Sequence, residues 1–326
     1  MTTFPAGRTL RIGTRSSPMA LAQVSLVTQL LRKLDPELAV EVRAVTTEAD
    51  RWQGDLARLG GKGLFTKEID ALLQGGDVDM AVHCIKDVPG DVPLPDGLVF
   101  AAYLPRDPVQ DVLLVPEGSA VTCLDELPAG ASVGSSAVRR KAQLQRDRPD
   151  LHVVRVRGTV GTRIDKLDGA HIHVGGRGRL DAMVLASSGL ERLGLGHRTR
   201  QVFTPEQMLP AVGAGVLGLQ CRSDDDAVAG LLAQLNHERT MDEVTAERVM
   251  LHDLRGHCNS PIAGYCTTGP DGRLSLRGMV FTADGSRFVH AHQLGGHDHD
   301  PVDLGARVAA ELLRQGARTI IEEIPH

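Results

Sequence analysis

The first 90 residues alternate between strand-like apolar runs and a helical repeat of apolar positions. Residues 8–14 are typical of a strand, and Ser17 followed by Pro18 supplies a helix N-cap and a proline at the first helical position. The apolar positions that follow are three or four residues apart: Ala20, Val24, Val27, Leu31 and Leu34. This spacing predicts one buried helix face and a helix that ends before Pro36.

The same alternation of strands and helices continues along the chain. We predict strands at 39–46 and 78–85, separated by a glycine-rich stretch at 54–63 and a helix at 66–74. Alternating elements of this kind indicate an α/β fold with a mainly parallel, doubly wound sheet. Clustered prolines between 89 and 111 indicate connecting chain and a domain boundary.

A second set of alternating elements begins near Asp111, and a smaller third region follows residue 226. The second set comprises predicted strands at 111–115, 132–135, 153–156 and 182–186 and predicted helices at 138–145 and 162–167. The third region contains predicted helices at 245–254 and 302–314, with strand-like stretches between them. The pattern therefore predicts two α/β domains and a third, smaller domain.

The composition favours a globular protein of two or three domains. Of the 326 residues, 42% are hydrophobic and 24% are charged, which is enough apolar surface to offset the entropy of ordering the chain. Aromatic residues make up only 3%, with Trp52 as the single tryptophan, so few side chains could stack on nucleic-acid bases. We therefore expect no nucleic-acid partner.

The cysteines indicate a reducing compartment. They are odd in number, scattered, and contain no CxxC pair: Cys84, Cys123, Cys221, Cys258 and Cys266. No stretch reaches about 18 uninterrupted apolar residues, and residues 1–11 lack the apolar core of an export signal. We therefore expect a cytoplasmic protein that makes no membrane contact.

Polar and cationic side chains follow the predicted strands, where loops leave the carboxyl ends of a doubly wound sheet and ligands bind. These residues are Arg15, Ser17, Lys86, Asp87, Ser135, Ser136, Arg139, Arg140, Arg157 and Arg163. Because guanidinium groups bind carboxylates bidentately, convergence of these cations predicts a cleft for a ligand with several carboxylates. The alternative is that each arginine is an ordinary solvated surface charge.

Asp87 is a lone carboxylate within this cationic set. Nearby positive charge would keep it ionised, and a fixed carboxylate could stabilise a cation that develops on a substrate. Equally, Asp87 could cap the turn before Pro89. The residues alone leave both interpretations open.

Eight stretches resemble, in order, the motifs of the hydroxymethylbilane synthase (porphobilinogen deaminase) family. They are GTRSSPMAL (13–21), GGKGLFTKEID (60–70), DMAVHCIKDVP (79–89), VGSSAVRRKAQL (133–144), VRGTVGTRIDKL (156–167), LPAVGAG (209–215), VTAER (244–248) and RGHCNSPI (255–262). The resemblance runs through nearly the whole chain. Eight stretches in the same order make coincidence negligible.

The resemblance implies three domains: two doubly wound domains resembling type II periplasmic binding proteins, with the active cleft between them, and a smaller α+β C-terminal domain. The implied domains are 1–104 with 204–222, then 105–203, and then 223–326. A dipyrromethane cofactor is implied, joined through a thioether to Cys258 on a loop of the third domain. The implied reaction condenses four porphobilinogen molecules into hydroxymethylbilane and releases ammonia.

Family roles carry over to the matching positions. Asp87 is implied as the carboxylate that assists deamination and steadies an azafulvene-like cation, with Lys86 beside it. Implied contacts to cofactor and substrate come from Arg15, Ser17, Ser135, Ser136, Arg139, Arg140, Arg157 and Arg163. Arg192 would contact the growing chain, and Lys62 lies in a glycine-rich loop that would cover the cleft. We expect a monomer with no metal.

Several positions depart from the family pattern. Ala137 replaces a hydroxyl residue, Thr159 replaces an asparagine, Ala214 replaces a glutamine, His257 precedes the cysteine, and the segment 168–180 is longer than usual. These departures leave open a diverged paralogue that acts on a related pyrrole or stops at a different chain length. A pyrrole-binding protein without catalysis is also open. A solute-binding module would be expected to carry an export signal or a helix-turn-helix, and neither is apparent.

Two further patterns suggest other chemistry. GGKG at 60–63 is similar to a phosphate-binding loop, but no Ser or Thr follows Lys62 and the glycine spacing does not fit. Three His-x-His pairs could ligate a metal: His171 with His173, His290 with His292, and His297 with His299. Because no carboxylates accompany them in a ligand pattern, we favour ordinary loop and strand histidines.

Overall fold

The computed structural model describes residues 4–5, 7–52, 63–169, 178–256, 260–296 and 300–323. These residues form three β-sheets with helices packed on them. Several positions singled out from the sequence lie outside the described residues: Lys62, His171, His173, His257, Cys258, His297 and His299. None of the helices in the described ranges is long and apolar enough to cross a bilayer.

The first sheet has five strands, and most of them are parallel. The strands are β1 (Leu10–Arg15), β2 (Val40–Val45), β3 (Met80–Cys84), β4 (Leu98–Tyr103) and β10 (Leu217–Arg222). Their order is β2-β1-β3-β10-β4. β1 runs parallel to β2 and β3, whereas β10 runs antiparallel to β3 and β4. The sheet is therefore mainly parallel, as predicted.

The prediction of connecting chain between 89 and 111 was wrong for β4. Its apolar sequence LVFAAY pairs with β10, and it lies at the edge of the sheet. Pro95 and Pro105 flank this strand instead of interrupting it, since proline is tolerated beyond strand ends.

Four helices belong to the first sheet. They are α1 (Pro18–Leu34), α2 (Glu48–Arg51), α3 (Lys67–Gln74) and α7 (Asp226–Ala233). Ser17 caps α1 as predicted, because its hydroxyl accepts the main-chain N–H of Ala20 at 3.3 Å. The predicted apolar face is buried except for Leu34, which is exposed in the last turn. Val228 and Leu232 of α7 pack into the same hydrophobic core as α1.

The second sheet repeats the topology of the first. Its strands are β5 (Asp111–Leu114), β6 (Ser132–Gly134), β7 (His152–Val154), β8 (Ala182–Ala186) and β9 (Gln201–Val202), in the order β7-β6-β8-β5-β9. β6 is parallel to β7 and β8, and β5 is antiparallel to β8 and β9. Its helices are α4 (Val138–Asp147), α5 (Val160–Leu167) and α6 (Ser187–Arg192). Two doubly wound units of one topology are therefore present.

A smaller antiparallel sheet forms the C-terminal region. Its strands are β11 (Ile262–Thr268), β12 (Leu274–Phe281) and β13 (Phe288–Leu294), and its helices are α8 (Glu238–Asp253), α9 (Pro301–Arg314) and α10 (Ala317–Glu322). α8 starts at Glu238 and not at residue 245, because the His237 side chain caps the helix by accepting the N–H of Thr240.

One carboxylate joins the connections between the sheets to the C-terminal region. The connections are residues 104–110 and 203–216. Glu247 of α8 lies 2.7 Å from Nη1 of Arg106 in an ion pair that is almost fully buried. Glu247 also accepts the N–H of Gly213 at 2.7 Å and the N–H of Cys266 at 2.8 Å. Both connections are thereby tied to α8 and β11.

Candidate functional site

Lys86 and Asp87 lie at the carboxyl end of β3. They form a single 3-10 turn, Ile85–Asp87, closed by the hydrogen bond from the Val88 N–H to the Ile85 carbonyl at 3.0 Å. Arg15 ends the neighbouring strand β1. Because β1 and β3 are parallel, their carboxyl ends meet at one end of the sheet, and all three residues lie there.

Arg15 already has protein partners in this structure. Its Nε donates to Oδ2 of Asp50 at 3.2 Å, and its guanidinium lies 4.3 Å from the centre of the Phe65 ring. Burial by itself would raise the pKa of Asp50, but the hydrogen bonds from Arg15 and Thr47 lower it overall. Asp50 and Phe65 therefore hold the Arg15 guanidinium in place.

The serines after β6 make local contacts. The hydroxyl of Ser135 accepts the N–H of Ala137 at 3.3 Å, and the hydroxyl of Ser136 donates to the Val156 carbonyl. These bonds shape the turn into α4. Arg139 and Arg140 follow in the first turn of that helix.

Arg139 and Arg140 both bind Asp111 at the start of β5. Nη2 of Arg139 lies 2.6 Å from Oδ2, and Nη2 of Arg140 lies 2.7 Å from Oδ1. Burial by itself would raise the pKa of Asp111, but the two guanidinium groups outweigh it and hold the pKa well below its usual range. Arg139 also donates to the Leu209 carbonyl at 2.6 Å, whereas Nε of Arg140 is buried and has no hydrogen-bond partner.

Arg163, on helix α5 of the second sheet, is influenced by the charge of Asp87. Its pKa is lowered to about 10, first because burial removes water and second because the positive charges of Arg140 and Arg157 lie near it. The negative charge of Asp87 acts in the opposite direction. The charges of three arginines of the second sheet and of a carboxylate of the first sheet therefore act on one another.

Arg192 lies beside the same end of β3. Its Nε donates to Oδ2 of Asp107, in the connection between the sheets, at 3.1 Å. Burial raises the pKa of the Cys84 thiol, and the positive charges of Lys86 and Arg192 partly offset this effect. Arg192, from α6, is therefore close to the last residue of β3.

Sequence reasoning missed the three aspartates that hold these arginines: Asp50, Asp107 and Asp111. For Asp111 a signal existed. A carboxylate at the head of the apolar strand DVLL is a poor candidate for burial unless a cation pairs with it. Asp50 and Asp107 lie in polar stretches and carry no comparable signal.

Two departures from the family pattern have local explanations. Thr159 caps α5 by accepting the N–H of Thr162 at 3.3 Å. Ala214 contributes its main-chain carbonyl, which accepts Nε of Arg106 at 2.9 Å, so this bond does not depend on the side chain. Ala137 precedes α4 without capping it through a side chain.

The cleft fits a group with several carboxylates. Positive charge is concentrated around Arg163, and Arg140 retains a buried N–H donor that no protein group uses. Guanidinium donors of this kind match the acetate and propionate groups of a dipyrromethane. The residue predicted to attach it, Cys258, and the loop residue Lys62 lie outside the described residues.

The histidine pairs do not form a metal centre in the described part of the chain. No group of three or more His, Cys, Asp or Glu side chains suitable for a metal occurs there. His290 and His292 lie on β13, and Nε2 of His292 is 2.9 Å from the Ser275 hydroxyl.

The fold is that of an α/β protein with two doubly wound units, in which arginines of the second sheet lie near the carboxylate of Asp87. A family model described as porphobilinogen deaminase, dipyromethane cofactor binding domain, matches residues 10–230, and one for the C-terminal domain matches residues 241–314. Porphobilinogen deaminase 2 of Streptomyces coelicolor is 50% identical over 317 residues, which is 97% of each chain. Porphobilinogen deaminase of Brevibacillus brevis is 40% identical over 315 residues, 96% of this chain and 97% of its own. The chain belongs to the porphobilinogen deaminase family.

Among solved structures, the periplasmic VFT2 domain of BvgS from Bordetella pertussis is similar over 74% of this chain and 92% of its own, with 17% identity and a TM-score of 0.39.

Proposed function

We propose that this chain is a hydroxymethylbilane synthase, which condenses four porphobilinogen molecules head to tail into hydroxymethylbilane with release of ammonia. The observation that carries the proposal is the shared environment of Asp87 and Arg163, with Arg140 and Arg157 around it. This arrangement offers positive charge for ligand carboxylates and one carboxylate for a developing cation. Family membership supplies the matching substrate class.

The arginines bind the carboxylate groups of cofactor and substrate and thereby orient both. Arg157 and Arg163 hold the acetate and propionate groups of cofactor and substrate and fix the direction of the pyrrole ring. Arg140 offers only its Nε, because its two Nη atoms bond to Asp111 and to the Val184 carbonyl. Arg139 acts through Asp111 and is a positioning residue, because its buried Nη groups bond to Asp111 and the Leu209 carbonyl. Arg192, held by Asp107 beside β3, contacts the growing chain.

Asp87 stabilises the positive charge that develops on the substrate. When porphobilinogen loses ammonia, positive charge spreads over its pyrrole ring, and a carboxylate already fixed by the turn after β3 stabilises that charge without reorganising. Lys86, next to it, lies in the same turn at the end of β3.

Cys258 carries the dipyrromethane through a thioether in this proposal, and the group supplies a permanent primer on which the chain grows. Three of the described thiols are poor competitors, because burial raises the pKa values of Cys84, Cys221 and Cys266. A thiol with a raised pKa contains little thiolate at neutral pH.

We further propose a monomer that acts in the cytoplasm without nucleic-acid or membrane partners. The described cysteines Cys84, Cys123, Cys221 and Cys266 are free thiols, which supports a reducing compartment. The return of β10 to the first sheet supports a discontinuous first domain. We propose the domain ranges 1–104 with 204–222, 105–203 and 223–326; α7, at the start of the last range, packs into the core of the first sheet.

Intact mass and product formation test the function. The purified parent should carry the added mass of about two pyrrole units and convert porphobilinogen into a linear tetrapyrrole. Cys258→Ser should lose both the added mass and the product, whereas the matched control Cys123→Ser, at a half-buried thiol, should keep both.

The outcomes separate the remaining functions. A parent with the added mass but no product would be a pyrrole-binding protein, and a product of another length would indicate a diverged paralogue. A parent that never acquires the added mass would overturn the proposal.

A further inference from the structure

A pocket of about 330 Å³ lies between α3, the first sheet and the proline-rich segment before β4. Its volume is at the lower end of the roughly 300–1,000 Å³ typical of small-molecule sites. None of the residues assigned above to cofactor or substrate lines it. Val88 and Pro89, which follow Asp87 directly, form part of its wall.

The floor of the pocket is polar and built from three elements. Asp70 of α3, His83 of β3 and Gln220 of β10 are all more than nine-tenths buried. Nε2 of His83 lies 2.8 Å from Oε1 of Gln220. Burial lowers the pKa of His83 to about 4, so the ring is neutral at pH 7 and its Nε2–H donates to the amide oxygen.

Asp70 is the member of this floor with an unused acceptor. Its side chain is buried, and its Oδ1 has no hydrogen-bond partner. Burial raises the pKa of Asp70, although hydrogen bonds from Thr66 and Gln220 act in the opposite direction. Among the described residues, no cationic side chain contributes to the electrostatics of this carboxyl. A buried carboxyl oxygen without a donor is costly, and a ligand that donates to it would remove that cost.

The walls of the pocket are apolar, so a ligand that fits it has an apolar body. Val92, Leu94 and Phe100 line the side opposite α3. Nε2 of Gln74 donates to the Asp96 carbonyl at 3.0 Å and ties α3 to the proline-rich segment. Lys67, the cation in the lining, is exposed on α3, so no positive charge reaches the floor to hold an anion.

We propose that this pocket binds a small organic ammonium compound with an apolar body, held by Asp70 as its counter-ion. The ammonium group pairs with the Asp70 carboxylate, whose enclosed Oδ1 has no donor in the structure, and the apolar body contacts Val92 and Phe100. Because the wall continues from Asp87 through Val88, an occupied pocket restricts the turn that carries Asp87. The site is separate from the arginine cleft and does not rest on the proposed reaction.

Calorimetric titration of the cofactor-loaded parent with benzylamine tests the proposal. For a ligand of this size we expect a Kd on the order of 1 mM at pH 7. Asp70→Asn, which keeps the side-chain size, should weaken binding at least about tenfold, the 1.4 kcal/mol of a lost ionic contact. Asp77→Asn, at an exposed acid just after the same helix, should leave the Kd unchanged.

Further measurements distinguish ionic binding to Asp70 from binding that depends only on filling the apolar pocket. Val92→Phe keeps the carboxyl but fills the pocket, so it should also abolish binding and gives a second result if Asp70→Asn folds poorly. Benzyl alcohol and benzoate should bind at least about tenfold more weakly than benzylamine. Equal affinity for benzyl alcohol, an unchanged Kd in Asp70→Asn, or no heat from the parent at several times the expected Kd would each overturn the proposal.

Discussion

The Asp111 carboxylate accepts a hydrogen bond from Nη2 of Arg139 at 2.6 Å, with both side chains buried. Its second oxygen accepts Nη2 of Arg140 at 2.7 Å. Asp111, at the start of β5, thus holds two arginines in the first turn of α4. The helix follows β6, and β8 lies between β6 and β5 in the sheet. Asp111 is therefore the shared anionic partner of both arginines.

Arg139→Leu should therefore destabilise the fold and not only the ligand contacts. Removing Arg139 takes away one of the two guanidinium groups that compensate the buried Asp111 charge, and the loss of a hydrogen bond to a charged group costs about 1.5–3 kcal/mol. Urea unfolding monitored by circular dichroism measures the loss. Arg314→Leu is the control, because that arginine is 73% exposed in its pair with Glu311 and should cost less than about 1 kcal/mol. Equal stability of the two variants would show that the buried pair does not stabilise the fold.

Acid should weaken the fold through Asp79. This buried carboxylate accepts hydrogen bonds from Arg8 at 2.9 Å and Arg11 at 2.7 Å. Burial would raise the pKa of Asp79, but these bonds lower it from 3.8 to about 2. A carboxyl with a lower pKa in the folded state stabilises the fold above its unfolded pKa, and this contribution is lost as the pH falls through about 2.

The free energy of unfolding should consequently fall between about pH 4 and pH 2, and Asp79 should account for about 2 kcal/mol of the fall. Urea titrations of the parent and of Asp79→Asn across that range measure the difference. In Asp79→Asn the decline should be shallower, with the residual slope from Asp111 and other paired carboxylates. Identical slopes in the two proteins would exclude Asp79 as a source of the pH dependence.

Local patterns were sufficient to predict most of the fold. Ser17 and Pro18 predicted the start of α1, and the apolar alternation predicted β1, β3 and β8. Two strands that the sequence did not predict, β4 and β10, lie next to prolines or glycines, which are typical of loops. Strand pairing with distant residues decided their structure, and no local pattern reports that pairing.

The site could be predicted in part from strand ends. That rule led to Asp87 and Arg163, whose charges do influence each other in the structure. It could not predict that Asp50 binds Arg15 or that Asp107 binds Arg192, because these contacts join residues on separate elements. Nor could it predict that Arg139 and Arg140 both bond to Asp111 and to a main-chain carbonyl, or that Nε of Arg140 is left without a partner.

Gly215→Ala should disturb the contact between Asp107 and Arg192. Gly215 has a φ of +76°, and a Cβ there would lie 2.3 Å from the Asp107 carbonyl oxygen. Gly118→Ala is a matched control, since its φ is +81° with open space around the added methyl group. The conformational strain of about 1 kcal/mol is common to both, whereas overpacking should cost Gly215→Ala about 1–3 kcal/mol more.

Urea unfolding and porphobilinogen turnover measure the two variants. Because Arg192 is bound by Asp107, Gly215→Ala should also lose turnover, and Gly118→Ala should not. If both variants lose the same stability and keep the same turnover, the close approach of Gly215 to Asp107 has no functional consequence.

Asp87→Asn should separate binding from catalysis. The substitution keeps the size of the side chain and removes its negative charge, so the arginines of the cleft still hold ligand carboxylates. The charge that would stabilise the cation formed on loss of ammonia is absent, and removing one preorganised electrostatic group costs on the order of 100-fold to 1,000-fold in rate. Turnover of porphobilinogen, measured after loading with preformed cofactor, should fall by that amount while intact mass shows normal loading.

Asp87→Glu distinguishes an electrostatic role from a structural one. Glutamate keeps the charge but moves it by one methylene, so activity should be intermediate between the parent and Asp87→Asn. A residue that only caps the turn after β3 would give a different pattern, because asparagine caps turns as well as aspartate does. Asp87→Asn would then retain parental turnover, and Asp87→Glu would be the more damaging substitution. That reversed order would assign the acid of the reaction to another side chain of the cleft.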